Sequence, residues 1–144
     1  MNVLGAVVAG LIGTIVMSIA LAVAPRMGLP EMDFAGMLAT LLGVPRLRAL
    51  GFVLHVLIGI FWAYIYATLW SAGIGSPNVT TGLLYGIAHW LIAGALVGVL
   101  SYLRPGLPGF YFRDLGGSTG FFGGLMVHVI YGLTVGLVYE FFQL

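Results

Sequence analysis

Gly51-Phe52-Val53-Leu54-His55-Val56-Leu57-Ile58-Gly59-Ile60-Phe61-Trp62-Ala63-Tyr64-Ile65-Tyr66 is an apolar run with a single imidazole. Its pattern, Gly51-x-x-x-His55-Val56-x-x-Gly59-x-x-x-Ala63-x-x-Tyr66, returns 73 residues later as Gly124-x-x-x-His128-Val129-x-x-Gly132-x-x-x-Gly136-x-x-Tyr139. At the helical angle per residue, positions 51, 55, 59, 63 and 66 line one side of a helix, and so do their counterparts. Two imidazoles therefore occupy equivalent places in helices that otherwise hold few polar side chains.

The whole chain has the same character. It has 144 residues, 61% hydrophobic and 6% charged, with a mean hydropathy of +1.15. Soluble domains are about 25% charged, so a water-soluble globule is excluded. The length corresponds to one membrane domain, residues 1–144. Five arginines and no lysine give a net charge of +1, too few cations to neutralise the phosphates of a nucleic acid. Cysteine is absent, which removes disulfides, thiolate metal sites, iron–sulfur clusters and covalent haem attachment.

Four stretches approach the roughly 20 apolar residues that cross a bilayer: Val3–Ala24, Leu50–Trp70, Val79–Leu103 and Thr119–Phe142. Ala22-Val23-Ala24 resembles a signal-peptidase site. The missing basic flank, the long apolar run and Pro25 directly after it favour a retained span. Arg26, Arg46, Arg48, Arg104 and Arg113 all fall in the connections after the first and third spans. The positive-inside rule then places those connections in the cytoplasm of a bacterial inner membrane and both termini outside.

The duplication reaches beyond the quoted stretch. Arg26-Met27-Gly28-Leu29-Pro30 matches Arg104-Pro105-Gly106-Leu107-Pro108 at an offset of 78, which Phe34 and Phe112 share. The expected fold class is all-α: four transmembrane helices in two tandem hairpins, residues 1–70 and 79–144, related as parallel repeats. His55 and His128 would then lie at one depth, roughly 10–14 Å into the apolar slab at ~1.5 Å per residue. A short interfacial helix is expected near residues 33–42, with Asp33 as its N-cap. Its counterpart, Gly109–Gly117, reads as an irregular loop against the headgroups. Small residues four apart (Ala9 and Gly13; Gly59 and Ala63; Gly82 and Gly86; Gly94 and Gly98; Gly132 and Gly136) predict close helix crossings, within the chain or with other subunits. Trp70, Tyr102, Phe110, Tyr111, Phe121 and Phe122 fall near span ends, where aromatic belts form. Trp62 and Trp90 lie deeper, where they would meet a neighbouring helix, a lipid or a pigment.

Ionisable groups inside a membrane are functional candidates. Here they are His55, His89 and His128. Counted from the arginine-bearing ends of the spans, His89 is roughly 10 Å deeper than the other two. It reads as a separate hydrogen-bonding residue directed at Tyr66 or Tyr139. For His55 and His128 three chemistries compete. A neutral imidazole can bond across the bundle, stabilising by about 0.6–2 kcal/mol. It can ligate a haem, a (bacterio)chlorophyll or a transition metal, with Gly51, Gly59, Gly124 and Gly132 leaving room for a flat macrocycle. It can also carry protons, although no intramembrane carboxylate extends a relay. Thr14, Ser18 and Thr134 read as polar residues satisfied by their own backbone. No catalytic triad, carboxylate pair or nucleotide-binding loop is present, so an enzyme is not expected.

Gly13-Thr14-Ile15-Val16-Met17, Pro25-Arg26-Met27-Gly28-Leu29-Pro30-x-Met32-Asp33, Gly51-x-x-x-His55 and His89-Trp90-Leu91-x-Ala93-Gly94 resemble an uncharacterised family of small four-helix bacterial integral membrane proteins. The resemblance runs over most of the chain. It implies four spans with intramembrane histidines, a role beside other proteins, and no activity that can be carried over. The leading expectation is a small accessory subunit of a respiratory or photosynthetic membrane complex. The alternatives are a tetrapyrrole-binding protein using His55 and His128, with His89, Gly59 and Gly132 at the site, and an oligomeric small transporter or channel.

Overall fold

The computed structural model describes residues 1–143, folded into α1 (Val3–Val23), α2 (Phe34–Leu41), α3 (Arg48–Ser71), α4 (Val79–Leu103) and α5 (Ser118–Phe141). Four of these are long and apolar enough to cross a membrane, and α2 is the short helix expected after the first span. Their starts are written in the sequence. Asn2, Asp33 and Asn78 each accept a hydrogen bond, at 2.8–2.9 Å, from a backbone N–H in the first turn of the helix they cap. After α1, Pro25 enters a 3₁₀ turn that ends at Gly28, whose φ of 80° needs the left-handed region glycine provides.

Both stripes of the repeated motif face inward. Gly51, His55, Gly59, Ala63 and Tyr66 are buried, and so are Gly124, His128, Gly132, Gly136 and Tyr139. At one end of the bundle the Asn2 N–H donates to the Tyr139 hydroxyl at 2.9 Å. The Asn2 side chain donates to the Phe142 carbonyl at 3.2 Å, tying the start of α1 to the end of α5. The arginine-bearing connections occupy the opposite end, where Arg48 pairs with Asp33 at 2.9 Å.

The spans run in the spatial order α3, α1, α5, α4. Each step in that order is a close crossing, whereas α3 and α4 scarcely meet through their backbones. Missing β-carbons make the crossings possible. A methyl group on Gly10 would sit 2.7 Å from the Ile60 Cα, and one on Gly13 2.9 Å from Val135. One on Gly86 would sit 2.6 Å from the His128 carbonyl oxygen, and one on Gly132 2.7 Å from the Gly86 Cα. In lipid, where apolar burial drives little association, such backbone approach supplies the dispersion contact that holds helices together.

The second connection does not lie loosely against the headgroups. Phe110–Leu115 forms a 3₁₀ segment that turns back into the bundle, with Tyr111 and Phe112 at φ of 54° and 58°. Phe112 is buried. The Tyr111 ring fills the space beside Gly94, and the Phe110 ring fills that beside Gly98. That pair of glycines therefore receives aromatic rings, not another helix. The aromatic belt divides likewise. Tyr102 and Phe122 are exposed, but Trp70 is core, stacked between Tyr85 and Tyr139 with ring centroids 5.4 Å from each.

Helix α2 is seated on α3 through Gly51. A β-carbon there would collide with the Ala35 carbonyl and approach the Ala39 nitrogen to 2.9 Å. Gly51→Ala is expected to undock α2 and leave the four spans in place. Protection of the Phe34–Leu41 amides in hydrogen exchange should fall about tenfold or more, equivalent to ~1.4 kcal/mol of local opening.

Candidate functional site

Where α3 and α4 part, a cavity of about 150 Å³ opens in the arginine-side half of the bundle. At the other end the two helices are bridged by side chains. The Trp70 indole donates to Thr81 Oγ1 at 3.1 Å, Tyr85 donates to the Ile74 carbonyl, and the Tyr66 and Tyr85 rings meet edge to face. Trp62 closes this bridged zone by stacking on His89, with centroids 4.0 Å apart. Beyond it the walls are Ile58 from α3 and Ala93, Leu96 and Val97 from α4, and α2 closes the arginine-side end with Phe34, Met37, Leu38 and Leu41. Leu96 lines the cavity while remaining exposed on the outer surface, so the opening faces laterally, toward lipid.

All three histidines line this cavity. His55, His89 and His128 are 7%, 5% and 3% exposed. The expectation that His89 stands apart is corrected. Its ring lies edge to face with that of His128, centroids 4.8 Å apart. The reason is that the arginine-side ends of α4 and α5 do not lie at one level. Gly86 lies against His128, and Gly82 against Gly132 and Gly136. Continuing that register sets Ser118 beside the region of Leu96, roughly 10 Å short of the α4 end at ~1.5 Å per residue. The inturned Phe110–Leu115 segment occupies the difference.

Each imidazole is held differently. His128 Nδ1 donates to the Gly124 carbonyl at 2.7 Å. A carbonyl can only accept, so this bond fixes the proton on Nδ1 and leaves Nε2 of the neutral ring with its lone pair. His89 Nδ1 and the Tyr66 hydroxyl are 3.3 Å apart, the partnership expected for His89; Tyr139 turns instead to Asn2. His55 stacks on Phe34 with centroids 5.6 Å apart, and among the described residues its ring nitrogens have no hydrogen-bond partner. Phe34 also lies 6.4 Å from His128 and 5.4 Å from Phe112. The two motif histidines thus border one aromatic side chain supplied by α2.

The candidate glycines lie at crossings. Gly59 lines the cavity, but the space beside its Cα is taken by Thr14 Oγ1. Gly132 abuts the α4 backbone. Thr14, Ser18 and Thr134 donate to the carbonyls of Gly10, Thr14 and Ile130, each four residues back, as expected. Among the described residues no three His, Asp or Glu side chains converge as metal ligands. Two site residues escaped the sequence reading. Tyr131 lines the cavity and donates from its hydroxyl to the Gly59 carbonyl, and Phe34 closes its end. The signal for Tyr131 was available, because it is the counterpart of Ile58, which lines the same space.

The fold and site define a multi-pass helical membrane protein with an internal, histidine-lined cavity that opens between two spans. Residues 1–143 match the model of DUF6789, a family of unknown function, and the chain belongs to that family. No curated protein and no solved structure shows significant similarity to it.

Proposed function

We propose that this protein binds a neutral, lipid-soluble molecule with a single oxygen-bearing six-membered ring, of the quinone, quinol or phenol class, taken from the bilayer. The observation that carries the reading is the cavity itself. Its volume of about 150 Å³ matches apolar protein cavities that accept one benzene-sized ring. Trp62 and Phe34 line it with aromatic surface, and the imidazoles supply polar groups for the oxygens of such a ring. No charged residue lines the cavity, which favours a neutral guest. The lateral opening lets an isoprenoid or alkyl tail remain in lipid.

The proposed role is binding and not catalysis. A single ring suits the cavity better than a tetrapyrrole, because a macrocycle exceeds such a volume and Phe34 lies against both motif histidines. A role as accessory subunit of a respiratory or photosynthetic membrane complex draws its support from ligand chemistry. The small-residue pairs that had suggested partner contacts are occupied inside the chain. Under the positive-inside rule the α2 end faces the cytoplasm.

A benzoquinone with a ten-carbon tail, titrated into the protein in lipid nanodiscs, should quench tryptophan fluorescence saturably. Trp62→Phe should remove most of that saturable component. Quenching that rises linearly with quinone in the lipid, alike in both proteins, would sink the reading.

A further inference from the structure

His55 borders two spaces. It lines the inner cavity and also a surface pocket of about 240 Å³ whose walls include Ser18, Glu31, Asp33, Phe34 and Arg48. Glu31 and Asp33 lie in the connection that precedes α2. The fold brings them back, because α2 seats on Gly51, one turn before His55, and carries its N-cap Asp33 alongside. His89 and His128 have no such position: they line the inner cavity but neither surface pocket beside α2.

We propose that His55 is the residue through which the inner cavity exchanges protons with water, by way of the pocket holding Glu31 and Asp33. A proton arrives at one ring nitrogen from a carboxylic acid or a water in the surface pocket. The other ring nitrogen trades its proton for that of a quinol or phenol hydroxyl in the cavity, so the protons balance, and tautomer exchange restores the starting ring. No electron moves in this step. The groups lining the two spaces with His55 suit it: Glu31, Asp33 and Arg48 on the water side, with Ser18 from α1. On the cavity side stand Thr14, His89, His128 and Tyr131. The other two imidazoles are each engaged, His128 with Gly124 and His89 with Tyr66. His55, lacking such a bond among the described residues, keeps both nitrogens available. The acceptor rests on the ligand reading above; access of His55 to water does not.

The test is nitrogen-15 NMR of ring-labelled histidines in the full-length protein in nanodiscs, without and then with the ten-carbon benzoquinone. Ring N–H exchange with water at His55 should be about tenfold or more faster than at His128. Glu31→Gln with Asp33→Asn should slow it severalfold. Asparagine caps a helix as well as aspartate, and the Asp33–Arg48 pair is solvent-exposed, so the fold should persist; unchanged His89 and His128 resonances verify this. Exchange at His55 as slow as at His128, or fast but indifferent to the double substitution, overturns the route. Quinone binding with slow His55 exchange would leave the ligand reading standing alone. Fast, carboxylate-dependent exchange without quinone binding would leave the route standing and remove its acceptor.

Discussion

Gly132→Ala is expected to destabilise the bundle by about 2–3 kcal/mol, near the upper end for overpacking a closely fitted interior. The added methyl would meet the Gly82 carbonyl oxygen and lie 2.7–2.8 Å from the backbone of Gly86. Those contacts are main chain on a rigid helix, so no flexible side chain can move aside. Gly82 and Gly136 face the same crossing from either side, and a local shift would disturb them too. Loss of helicity on heating or on titration with a denaturing detergent would measure the change, with Leu84→Ala on the exposed surface of α4 as reference. A Gly132→Ala protein as stable as that reference would mean the α4–α5 crossing is looser than described.

Ala93→Phe is expected to abolish the binding site and leave the bundle standing. Ala93 lines the cavity on α4, yet is only partly buried, because it stands where α3 and α4 part. A benzyl side chain there can occupy the space proposed for the ligand ring without entering a backbone crossing. Saturable quinone quenching should weaken by at least about tenfold, a loss of ~1.4 kcal/mol. Thermal stability should hold or rise, since filling an apolar void restores dispersion contacts. Undiminished quenching in this variant would place the ligand elsewhere.

These two substitutions separate what could be read from residues from what could not. Gly132 was legible as a packing residue because small side chains four apart mark one helix face, whichever neighbour they meet. The buried stripe from Gly51 to Tyr66 was legible for the same reason: helical period and hydropathy are local properties. Ala93 stood in a family motif but carried no signal of a cavity, because its importance comes from a gap between two helices. Gly94 and Gly98 were misassigned because a bare helix surface can accept either a backbone or a ring, and the rings of Tyr111 and Phe110 come from a connection whose path sequence spacing does not reveal.

By itself the sequence determined four membrane-spanning helices, the short helix capped by Asp33, the shared face of α3 and α5, and the three histidines among the polar groups within. Each depends on residues within a few turns of one another, where composition and periodicity act directly. Tertiary structure alone decided that the three imidazoles line one cavity, that α1 closes on α5 while α3 stands off α4, and that Glu31 and Asp33 return beside His55. Those outcomes depend on antiparallel register and on how far each connection folds back, quantities set by contacts between segments distant in the chain.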